Sequence, residues 1–525
     1  MAGALVLAGC GSEVVATATR SDQLGGAPAP TDPAVTDPGD VDPPSGGPAD
    51  TEPPSTDPVD TEPPATDPVD SDPPPATDAP PSPPQQDPDP AAIDFGADKP
   101  GRGYDEFLLA TATDLDEWWA EQYPLVYGKE YTPLQGKIYA AYPSRPGQLP
   151  GCGAPQTTYD EVSQFVAFYC GDGDFIIYDD GPDSLLTRLA QSFGPSTIGI
   201  VLAHEYGHAI QQRIGALNQR LDTITTEQQA DCVAGAWAGR AFRGESPYVR
   251  FSDDDVRSGL IAMLEVRDPV GFDQSDPGGH GSGFDRVNAF QVGFLEGPAR
   301  CAELIENPLP LVPNQFRTFE DQRAGGNAPL SFGDEGLLTF LPEDLNLYWA
   351  VELDAEVPGF DGLVVEANSS LSEVACDDLR GDFDNGAALC AVTDTVHINL
   401  PVATELHAQS QTFGDYSVGY LLGYAWAEAV QVAVGSGLEG EERQLMNDCL
   451  TGAWSKSVTP GRTGLPEPRA EGREASISPG DLDEAIRLLI RVGDSGADDD
   501  DLGTPFEKID AFRTGVLGGL DACNL

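Results

Sequence analysis

Three residues with the chemistry of a metal site lie within one short stretch of the sequence. His204, Glu205 and His208 form an H-E-x-x-H motif inside an apolar segment, residues 196–212. If this segment is a helix, positions i and i+4 lie on one face, so the two imidazoles can point at one metal ion. Glu205 follows the first histidine directly, and its carboxylate can reach a water at the metal rather than the metal itself. The motif predicts a zinc site with its own general base.

A second stretch can supply the remaining ligand. A catalytic zinc has three protein ligands and one open position. Glu227 is the predicted third ligand, and Asp231 lies four residues later on the same helical face. Asp231 can accept a hydrogen bond from the free ring nitrogen of a ligating histidine. The alternative, that both histidines are ordinary core or surface residues, is disfavoured because the chain holds only five histidines in 525 residues.

Capping residues predict the ends of the two helices that must carry these groups. Ser196 or Thr197 can cap the first helix, and Gly215 can end it. Thr225 or Thr226 can cap the second helix, which the apolar run after Asp231 continues.

Three stretches give the chain a family resemblance. They are H-E-Y-G-H-x-x-Q, the segment Gln229-Ala-Asp-Cys-x-Ala-Gly-x-Trp237, and His280-Gly-Ser282. They resemble the neutral zinc metallopeptidases of bacteria, a family similar to the gluzincins, whose third zinc ligand is a glutamate. The resemblance covers about residues 103–304. Ala209 departs from the second histidine or other bulky residue expected after the motif, at a position that is not a ligand.

The resemblance implies a complete site and a class of substrate. Zn²⁺ is held by His204, His208 and Glu227, Glu205 is the base, and the substrate is a peptide or protein. A second donor stabilises the oxyanion in the gluzincin mechanism, and His280 in its glycine-rich loop is the candidate. A loop-capping histidine remains the alternative for His280.

The elements around the motif predict an α+β fold, and the resemblance implies a zincin-like domain. Lys137–Tyr142, Gln164–Tyr169 and Phe175–Tyr178 are predicted strands, and the last two form a pair around Gly171–Asp174. The resemblance implies that such a sheet edge lines the substrate cleft, where an extended peptide can pair with it. Helices are predicted around Asp114–Trp119, Val256–Leu264 and Asp285–Glu296.

The amino end has the composition of a leader and a spacer. Leu7-Ala-Gly-Cys10 resembles a bacterial lipoprotein signal whose cysteine is lipidated. The apolar run before Cys10 is short and has no Lys or Arg, so a chance match stays open. The Pro-, Asp- and Thr-rich repeats that follow cannot bury a core and predict a disordered tether.

The net charge limits the kinds of partner that the chain can bind. The formal net charge is −59, from 87 acidic and 28 basic residues. This excess argues against nucleic acid and anionic membrane surfaces as partners. A lipid on Cys10 is then the predicted contact with a membrane.

The second half of the chain repeats the first half. The matched segments are Phe193-Gly194 with Phe413-Gly414, Ile198–Gln211 with Val418–Gln431, Asp231–Trp237 with Asp448–Trp454, Phe284–Phe290 with Phe506–Phe512, and Asp114-Leu115 and Trp119 with Asp344-Leu345 and Trp349. Five domain-level segments follow: a leader, 1–10; a tether, 11–100; a metallopeptidase domain, 101–304; a linker, 305–334; and a second domain, 335–525.

The second domain lacks the predicted metal ligands. The matched pairs are His204 with Tyr424, Glu205 with Ala425, His208 with Glu428, Glu227 with Gln444, and His280 with Leu502, while Asp231 keeps its counterpart Asp448. A tyrosine, a glutamate and a glutamine do not make a credible zinc site. The sequence predicts a degenerate, pseudopeptidase domain of the same fold, with the active site in the first domain only.

The cysteines follow the repeat. One of the nine, Cys10, is assigned to lipid, which leaves eight. Sequence alone does not fix their connectivity, but equivalent cysteines of a repeat should bond equivalently. The predicted disulfides are Cys152–Cys170, Cys232–Cys301, Cys376–Cys390 and Cys449–Cys523. Even pairing is typical of an oxidising, extracytoplasmic compartment.

Together these patterns predict an exported, lipid-anchored zinc metallopeptidase at the bacterial cell membrane or surface. The alternative is a non-catalytic cell-envelope binding or scaffold lipoprotein with a structural zinc. A weaker one is Ca²⁺ binding by the acidic loops at Asp172–Asp174, Asp253–Asp255 and Asp498–Asp501, none of which has an EF-hand spacing.

Overall fold

The computed structural model of the chain describes residues 86–525, except 146, 275, 277, 329, 331–335, 354–356, 358–359, 361, 411, 461–474 and 494–502. Cys10, residues 11–85 of the predicted tether, and the acidic loop Asp498–Asp501 lie outside the described residues. The predicted boundary of the tether at residue 100 was too late, because Ile93–Asp94 form a strand and Ile93 is buried in the core. Residues 86–525 belong to one compact unit. No helix within the described ranges combines the length and apolar character needed to cross a bilayer.

The amino-terminal half, residues 86–304, mixes helices with short strands. Its elements, together with one short helix of the segment that follows, are β1 Ile93–Asp94, α1 Asp105–Tyr127, β2 Ile138–Ala141, β3 Leu149–Pro150, β4 Gln156–Thr157, α2 Tyr159–Val162, β5 Ala167–Cys170, β6 Phe175–Asp179, α3 Leu185–Phe193, α4 Ser196–Ile214, α5 Thr223–Phe242, α6 Asp253–Glu265, α7 Gly283–Glu296, α8 Pro298–Glu303 and α9 Phe319–Ala324.

Four strands of this half form one sheet in the order β1-β2-β6-β5. β1, β2 and β6 run parallel, with Ile138 opposite Ile176, and β5 runs antiparallel to β6 at the outer edge. The β5–β6 turn contains Asp174 at φ 50°. The predicted strand pair is therefore present, although both the first and second predicted strands begin later than expected. The sheet packs on α4, which brings an antiparallel edge strand beside the H-E-x-x-H helix.

The carboxy-terminal half, residues 335–525, has a similar series of elements. They are α10 Leu337–Glu352, β7 Val364–Asn368, β8 Leu379–Asp382, β9 Ala387–Cys390, β10 Thr395–Asn399, α11 Leu400–Ala408, α12 Gly414–Ala433, α13 Gly440–Val458, α14 Asp481–Val492, α15 Pro505–Gly518 and α16 Leu520–Cys523. The sheet order is β7-β10-β9-β8, with β7 and β10 parallel and the other two pairs antiparallel.

Glycines let the same two helices cross closely in each half. A Cβ on Gly235 of α5 would collide with the Phe290 carbonyl of α7. A Cβ on Gly452 of α13 would collide with the Phe512 carbonyl of α15. Small residues at these crossings allow backbone-to-backbone contact, so both helix pairs pack without an intervening layer of side chains.

Buried tryptophans join the first long helix to the crossing pair in each half. Trp237 Nε1 donates to Asp114 Oδ2 at 2.7 Å, and Trp454 Nε1 donates to Asp344 Oδ2 at 2.9 Å. The indole donor of a buried tryptophan needs such an acceptor. The predicted helix at Asp114 extends from Asp105 to Tyr127 in the structure.

All eight cysteines after the leader form disulfides. The bonded pairs are Cys152–Cys170, Cys232–Cys301, Cys376–Cys390 and Cys449–Cys523. The pairing inferred from the repeat is confirmed. The two long-range bonds close loops with sequence separations of 69 and 74 residues, which restricts the unfolded chain in both halves.

The predicted helix caps were partly wrong. Pro195 precedes α4 without a side-chain cap, and Thr197 donates its hydroxyl back to the Gly194 carbonyl. Asp222 precedes α5, which begins at Thr223, ahead of the threonines predicted to cap it. Gly215 ends α4 at φ 83°, as predicted. Proline has a fixed φ that suits a helix start, so α4 begins after Pro195 without a hydroxyl cap.

Candidate metal centre

Helix α4 is buried on every side along its first sixteen residues. A Cβ on Gly207 would lie 2.8 Å from the Ala230 Cα, so glycine here lets α4 and α5 approach closely. This contact places the histidine face of α4 against the Glu227 face of α5. The glycine inside the H-E-Y-G-H stretch therefore has a packing role in assembling the site.

The ligating atoms of His204, His208 and Glu227 lie within 4.8 Å of one another. His204 Nε2 is 3.3 Å from Glu227 Oε2, and His208 Nε2 is 3.4 Å from Glu227 Oε1. The two imidazole planes are perpendicular, with centroids 4.8 Å apart. All three side chains are buried. The structure thus brings together the three residues predicted as zinc ligands.

The second ring nitrogen of each histidine has its own partner. His204 Nδ1 is 2.7 Å from Asp231 Oδ1, and His208 Nδ1 is 3.0 Å from Gln211 Oε1. The Gln211 amide also donates to the Thr226 carbonyl at 2.6 Å, which ties α4 to α5. In the neutral form of each ring, an Nδ1–H that donates to these acceptors leaves the Nε2 lone pair free, which is the tautomer that binds a metal.

A divalent cation fits the space between these atoms. Neither Glu227 oxygen has a hydrogen-bond partner among the described residues, although both are buried. In the ligand tautomer, each oxygen faces an imidazole lone pair, and two acceptors do not bind each other without a cation between them. Two nitrogens and a carboxylate are also the donor set of catalytic zinc sites.

Electrostatics in the cluster favour positive charge. Burial opposes protonation of His204, but the carboxylates of Asp231 and Glu227 outweigh burial and raise its pKa to about 10. Burial would raise the pKa of Glu227, yet His208, His280 and His204 hold that pKa well below its usual value. In both residues, the attraction to neighbouring opposite charges outweighs the free-energy cost of burying a charged group.

Asp231 has a second partner that the sequence did not reveal. Arg286 of α7 donates to its two oxygens at 2.9 and 2.6 Å. Burial alone would raise the pKa of Asp231, but Arg286 and His204 lower it below its usual value. The carboxylate therefore stays ionised and can hold the His204 ring. Lys508 donates to Asp448 at 2.8 Å at the matched position of the other half.

His280 lies beside the three ligating residues but outside their mutual cluster. Its Nε2 is 4.0 Å from Glu227 Oε2, and its Nδ1 is 3.4 Å from Asp268 Oδ1. Asp268 Oδ2 accepts the backbone N–H groups of His280 and Gly281 at 2.8 Å each. Asp268 thus fixes both the loop and the direction of the ring, a role that no sequence pattern indicated.

Glu205 follows the first histidine on α4 and is buried. A buried carboxylate next to a predicted metal-ligand histidine can accept a proton from a water in the site.

The segment after α8 packs across α5, the helix that carries the predicted ligand Glu227. Gln228, next to Glu227, donates to the Leu309 carbonyl at 3.1 Å and accepts the Leu309 N–H at 3.2 Å. Val312 donates to Asp285 Oδ1 at 3.0 Å, at the start of α7. The predicted linker is therefore held against the site by backbone and side-chain hydrogen bonds.

A cavity of about 430 Å³ lies between the two halves of the chain. Ser282 and Asn314 line it from one side, and Ile477 and Asp483 from the other. The three predicted zinc ligands do not line this cavity, although Ser282 belongs to the same loop as His280.

The matched positions in the carboxy-terminal half hold different bonds. The Tyr424 hydroxyl donates to the Gln444 amide oxygen. Glu428 accepts from Arg443 at 2.7 Å and from Asn447 at 3.0 Å. In the described part of this half, these side chains form no group of three metal ligands. Their polar atoms pair with one another, which leaves no acceptor set for zinc.

Comparison with known proteins places the amino-terminal half in a family. The family profile described as "Putative neutral zinc metallopeptidase" matches residues 85–304. An uncharacterized protein of Mycobacterium tuberculosis is 31% identical over 212 residues, which is 36% of this chain and 67% of that protein. The uncharacterized protein YpfJ of Escherichia coli is 30% identical over 219 residues, or 37% of this chain and 68% of that protein. No solved structure matches the chain.

Proposed function

This chain belongs to the neutral zinc metallopeptidase family, and on that premise we propose that it is a zinc-dependent peptidase that cleaves peptide bonds in a peptide or protein. The observation that carries the proposal is the convergence of His204, His208 and Glu227 within 4.8 Å. Both Glu227 oxygens face imidazole nitrogens and have no other hydrogen-bond donor in the described residues. The cofactor of the family is Zn²⁺.

The two histidines and Glu227 would hold the zinc. When bound, zinc supplies a Lewis acid that polarises the scissile carbonyl and makes water easier to deprotonate. Glu205 accepts the proton of the attacking water as the oxygen adds to the carbonyl carbon. Glu205 then gives this proton to the amine nitrogen as the carbon–nitrogen bond breaks, so the products are a carboxylic acid and an amine.

His280 would donate a hydrogen bond to the carbonyl oxygen as negative charge develops there. Asp268 holds the imidazole in place from the other side of the ring, at 3.4 Å from Nδ1. β5 is the edge strand of the sheet beside α4, and an extended substrate would pair with its outer edge. These groups would orient the scissile bond over the site.

The first test is zinc content together with hydrolysis. We expect about one zinc per chain by elemental analysis, lost in His204→Ala and kept in Glu205→Gln. Glu205→Gln keeps size and polarity but removes the base, so hydrolysis of a casein or peptide-library substrate should fall by at least about 100-fold. Unchanged hydrolysis in zinc-loaded Glu205→Gln would refute the mechanism.

We propose that the carboxy-terminal half is a degenerate duplicate of the amino-terminal half. Three shared features support this: the helix crossings at Gly235 and Gly452, the Trp–Asp hydrogen bonds, and the disulfides at matched positions. Residues of the carboxy-terminal half line one side of the cavity between the halves, which supports a structural or substrate-binding role for this half. The active site would then belong to the first half alone.

We also propose export and a lipid anchor on Cys10. The four disulfides support an oxidising compartment. The Leu-Ala-Gly-Cys10 sequence supports lipidation. Detergent-phase partitioning of the expressed chain, lost in Cys10→Ala, would establish the anchor; equal partitioning of both would reject it.

One observation favours a second candidate, a scaffold with a structural zinc. His280 Nε2 lies 4.0 Å from Glu227 Oε2, near enough to become a fourth ligand after a small shift of the loop. Structural zinc sites are usually closed by four protein ligands. The two functions predict different zinc contents when His280 is replaced.

A further inference from the structure

A second group of carboxylates lies in the carboxy-terminal half, apart from the zinc cluster. Asp415 in the first turn of α12 meets Asp481 and Glu484 in the first turn of α14. One oxygen from each lies within 4.8 Å of the other two. All three side chains are buried, and Asp415 is only 8% exposed. Three acidic groups are therefore enclosed at the convergence of two helix starts.

Helix capping accounts for only part of this arrangement. Glu484 Oε2 accepts the Tyr416 N–H at 3.0 Å, and Asp481 Oδ2 accepts the Ser478 N–H at 2.7 Å. Asp415 Oδ1, however, is buried without a hydrogen-bond partner among the described residues. A buried carboxylate oxygen without a donor is costly, so this atom indicates a missing partner.

Further oxygens face the same space. Gly414 has φ 62°, and a Cβ there would collide with Glu484 Oε1 and Asn327 Oδ1. The Asn327 amide oxygen also accepts the Asp415 N–H at 3.1 Å. The cluster therefore offers carboxylate oxygens from three residues, with an amide oxygen beside them.

No basic side chain of the described residues forms a close ion pair with these carboxylates. The charge of His407 acts to lower the pKa of Asp415, and Arg267 interacts with Glu484, but neither side chain lies within ion-pair distance of the cluster. Burial, followed by mutual repulsion, raises the pKa values of Asp481 and Glu484 well above their usual range. Burial also raises the pKa of Asp415 to about 6. The group needs either shared protons or a cation.

We propose that Asp415, Asp481 and Glu484 bind a hard divalent cation, and we assign it as calcium. Oxygen-only ligands select hard cations, and the absence of histidine and cysteine from the trio argues against zinc. Calcium accepts six to eight oxygens in flexible geometry, including bidentate carboxylates. One Ca²⁺ would cancel two of the three negative charges and give Asp415 Oδ1 its partner.

The site belongs to the carboxy-terminal half alone. When the halves are matched at Phe193-Gly194 and Phe413-Gly414, Pro195 stands where Asp415 stands. The half that lacks the zinc ligands would thus have its own metal. Calcium there would stabilise the first turn of α14. This turn also carries Asp483, which accepts the Phe284 N–H of the amino-terminal half.

Calcium titration of the full chain, loaded with zinc in calcium-depleted buffer, tests the proposal. Calorimetry should show one calcium site with Kd of about 10⁻⁵ to 10⁻³ M. Asp415→Asn keeps the shape of the side chain and should weaken binding at least about tenfold. Glu442→Gln is the matched control, because Glu442 is an exposed glutamate in the first turn of α13. The control should bind calcium as the original chain does.

Thermal unfolding gives a second readout that does not depend on activity. Calcium should raise the Tm of the original chain and of Glu442→Gln, but not of Asp415→Asn. Without calcium, Asp415→Asn should unfold at a higher temperature than the original chain, because one of three repelling charges is gone. Glu484→Gln, which keeps its bond to the Tyr416 N–H, replaces Asp415→Asn if that variant fails to fold.

Two results would overturn the assignment. Absence of saturable binding at millimolar calcium would mean that shared protons satisfy the carboxylates. Equal calcium affinity in Asp415→Asn, Glu484→Gln and the original chain would place any calcium elsewhere. Neither result touches the zinc peptidase proposal, since zinc content and hydrolysis are measured separately.

Discussion

Asp231 holds two partners that have different roles. Asp231 Oδ1 lies 2.7 Å from His204 Nδ1, and Arg286 donates to the same oxygen at 2.6 Å. Because the carboxylate orients a ligand, its loss should act on the metal. We expect Asp231→Asn to lower zinc affinity by about 10- to 100-fold, measured by competition with a chromogenic chelator.

Asp268 provides the contrasting variant. It contacts His280 and the loop backbone, but none of the three predicted ligands. We expect Asp268→Asn to leave zinc affinity unchanged and to lower kcat more than it raises KM. If Asp231→Asn and Asp268→Asn changed zinc affinity equally, the separate roles assigned to the two residues would be wrong.

His280 decides between the catalytic and structural functions. If it donates to the developing oxyanion, His280→Phe should keep one zinc per chain and lower kcat by about 10²- to 10³-fold. If it closes the coordination shell, the same variant should lose zinc. Zinc content and steady-state hydrolysis on the same preparation separate the two outcomes.

At the scale of elements, the contact between α4 and α5 sets the distance between the predicted zinc ligands on the two helices. A methyl group on Gly207 would meet Ala230 Cα at 2.8 Å and force the helices apart. We expect Gly207→Ala to cost about 1–3 kcal/mol of unfolding free energy and to weaken zinc binding. Gly437→Ala is the control, since a Cβ there has open space. Equal stability of both variants in denaturant titrations would contradict this account of the packing.

Sequence predicted the parts of the site that local spacing determines. The i to i+4 rule gave the two histidines and the Glu227–Asp231 pair, and the repeat gave all four disulfides. Helix starts were less predictable, because Pro195 and Asp222 begin helices without the expected side-chain caps.

The partners that orient the site could not be predicted in this way. Arg286 is 55 residues from Asp231 in sequence, and Asp268 is 12 residues from His280. Gln228 reaches Leu309 over 81 residues. Such contacts depend on how helices pack, and no short-range periodicity encodes them. A basic residue on a helix beside a metal-site carboxylate is the one signal that could have suggested Arg286.

At the scale of the whole molecule, the two halves meet at a charged interface. Asp483 of α14 accepts the Phe284 N–H at 2.8 Å and the Gly283 N–H at 3.1 Å, at the start of α7. It also pairs with Arg267 at 2.8 Å. Since α7 carries Arg286, the carboxy-terminal half supports the network behind His204.

Removing the Asp483 carboxylate should therefore change the predicted active site. We expect Asp483→Ala to lower stability by up to about 3–5 kcal/mol, because it leaves Arg267 without its charge partner. It should also lower kcat with zinc retained. The exposed pair Glu405–Arg491 is the control, and Glu405→Gln should change stability by less than about 1 kcal/mol. An Asp483→Ala variant as stable and active as Glu405→Gln would show that the halves work independently.

The two hydrogen bonds between Gln228 and Leu309 bear on how this protein can evolve. The family match ends at residue 304, yet the Gln228 side chain, next to Glu227, is paired with the backbone of Leu309, five residues beyond that limit. If the proposed zinc site is correct, a deletion at the family boundary would leave a buried amide unpaired beside it, so selection for catalysis would also preserve the connecting segment. For this reason we expect the two halves to be inherited together, and recombination between them to be rarer than recombination within residues 11–85.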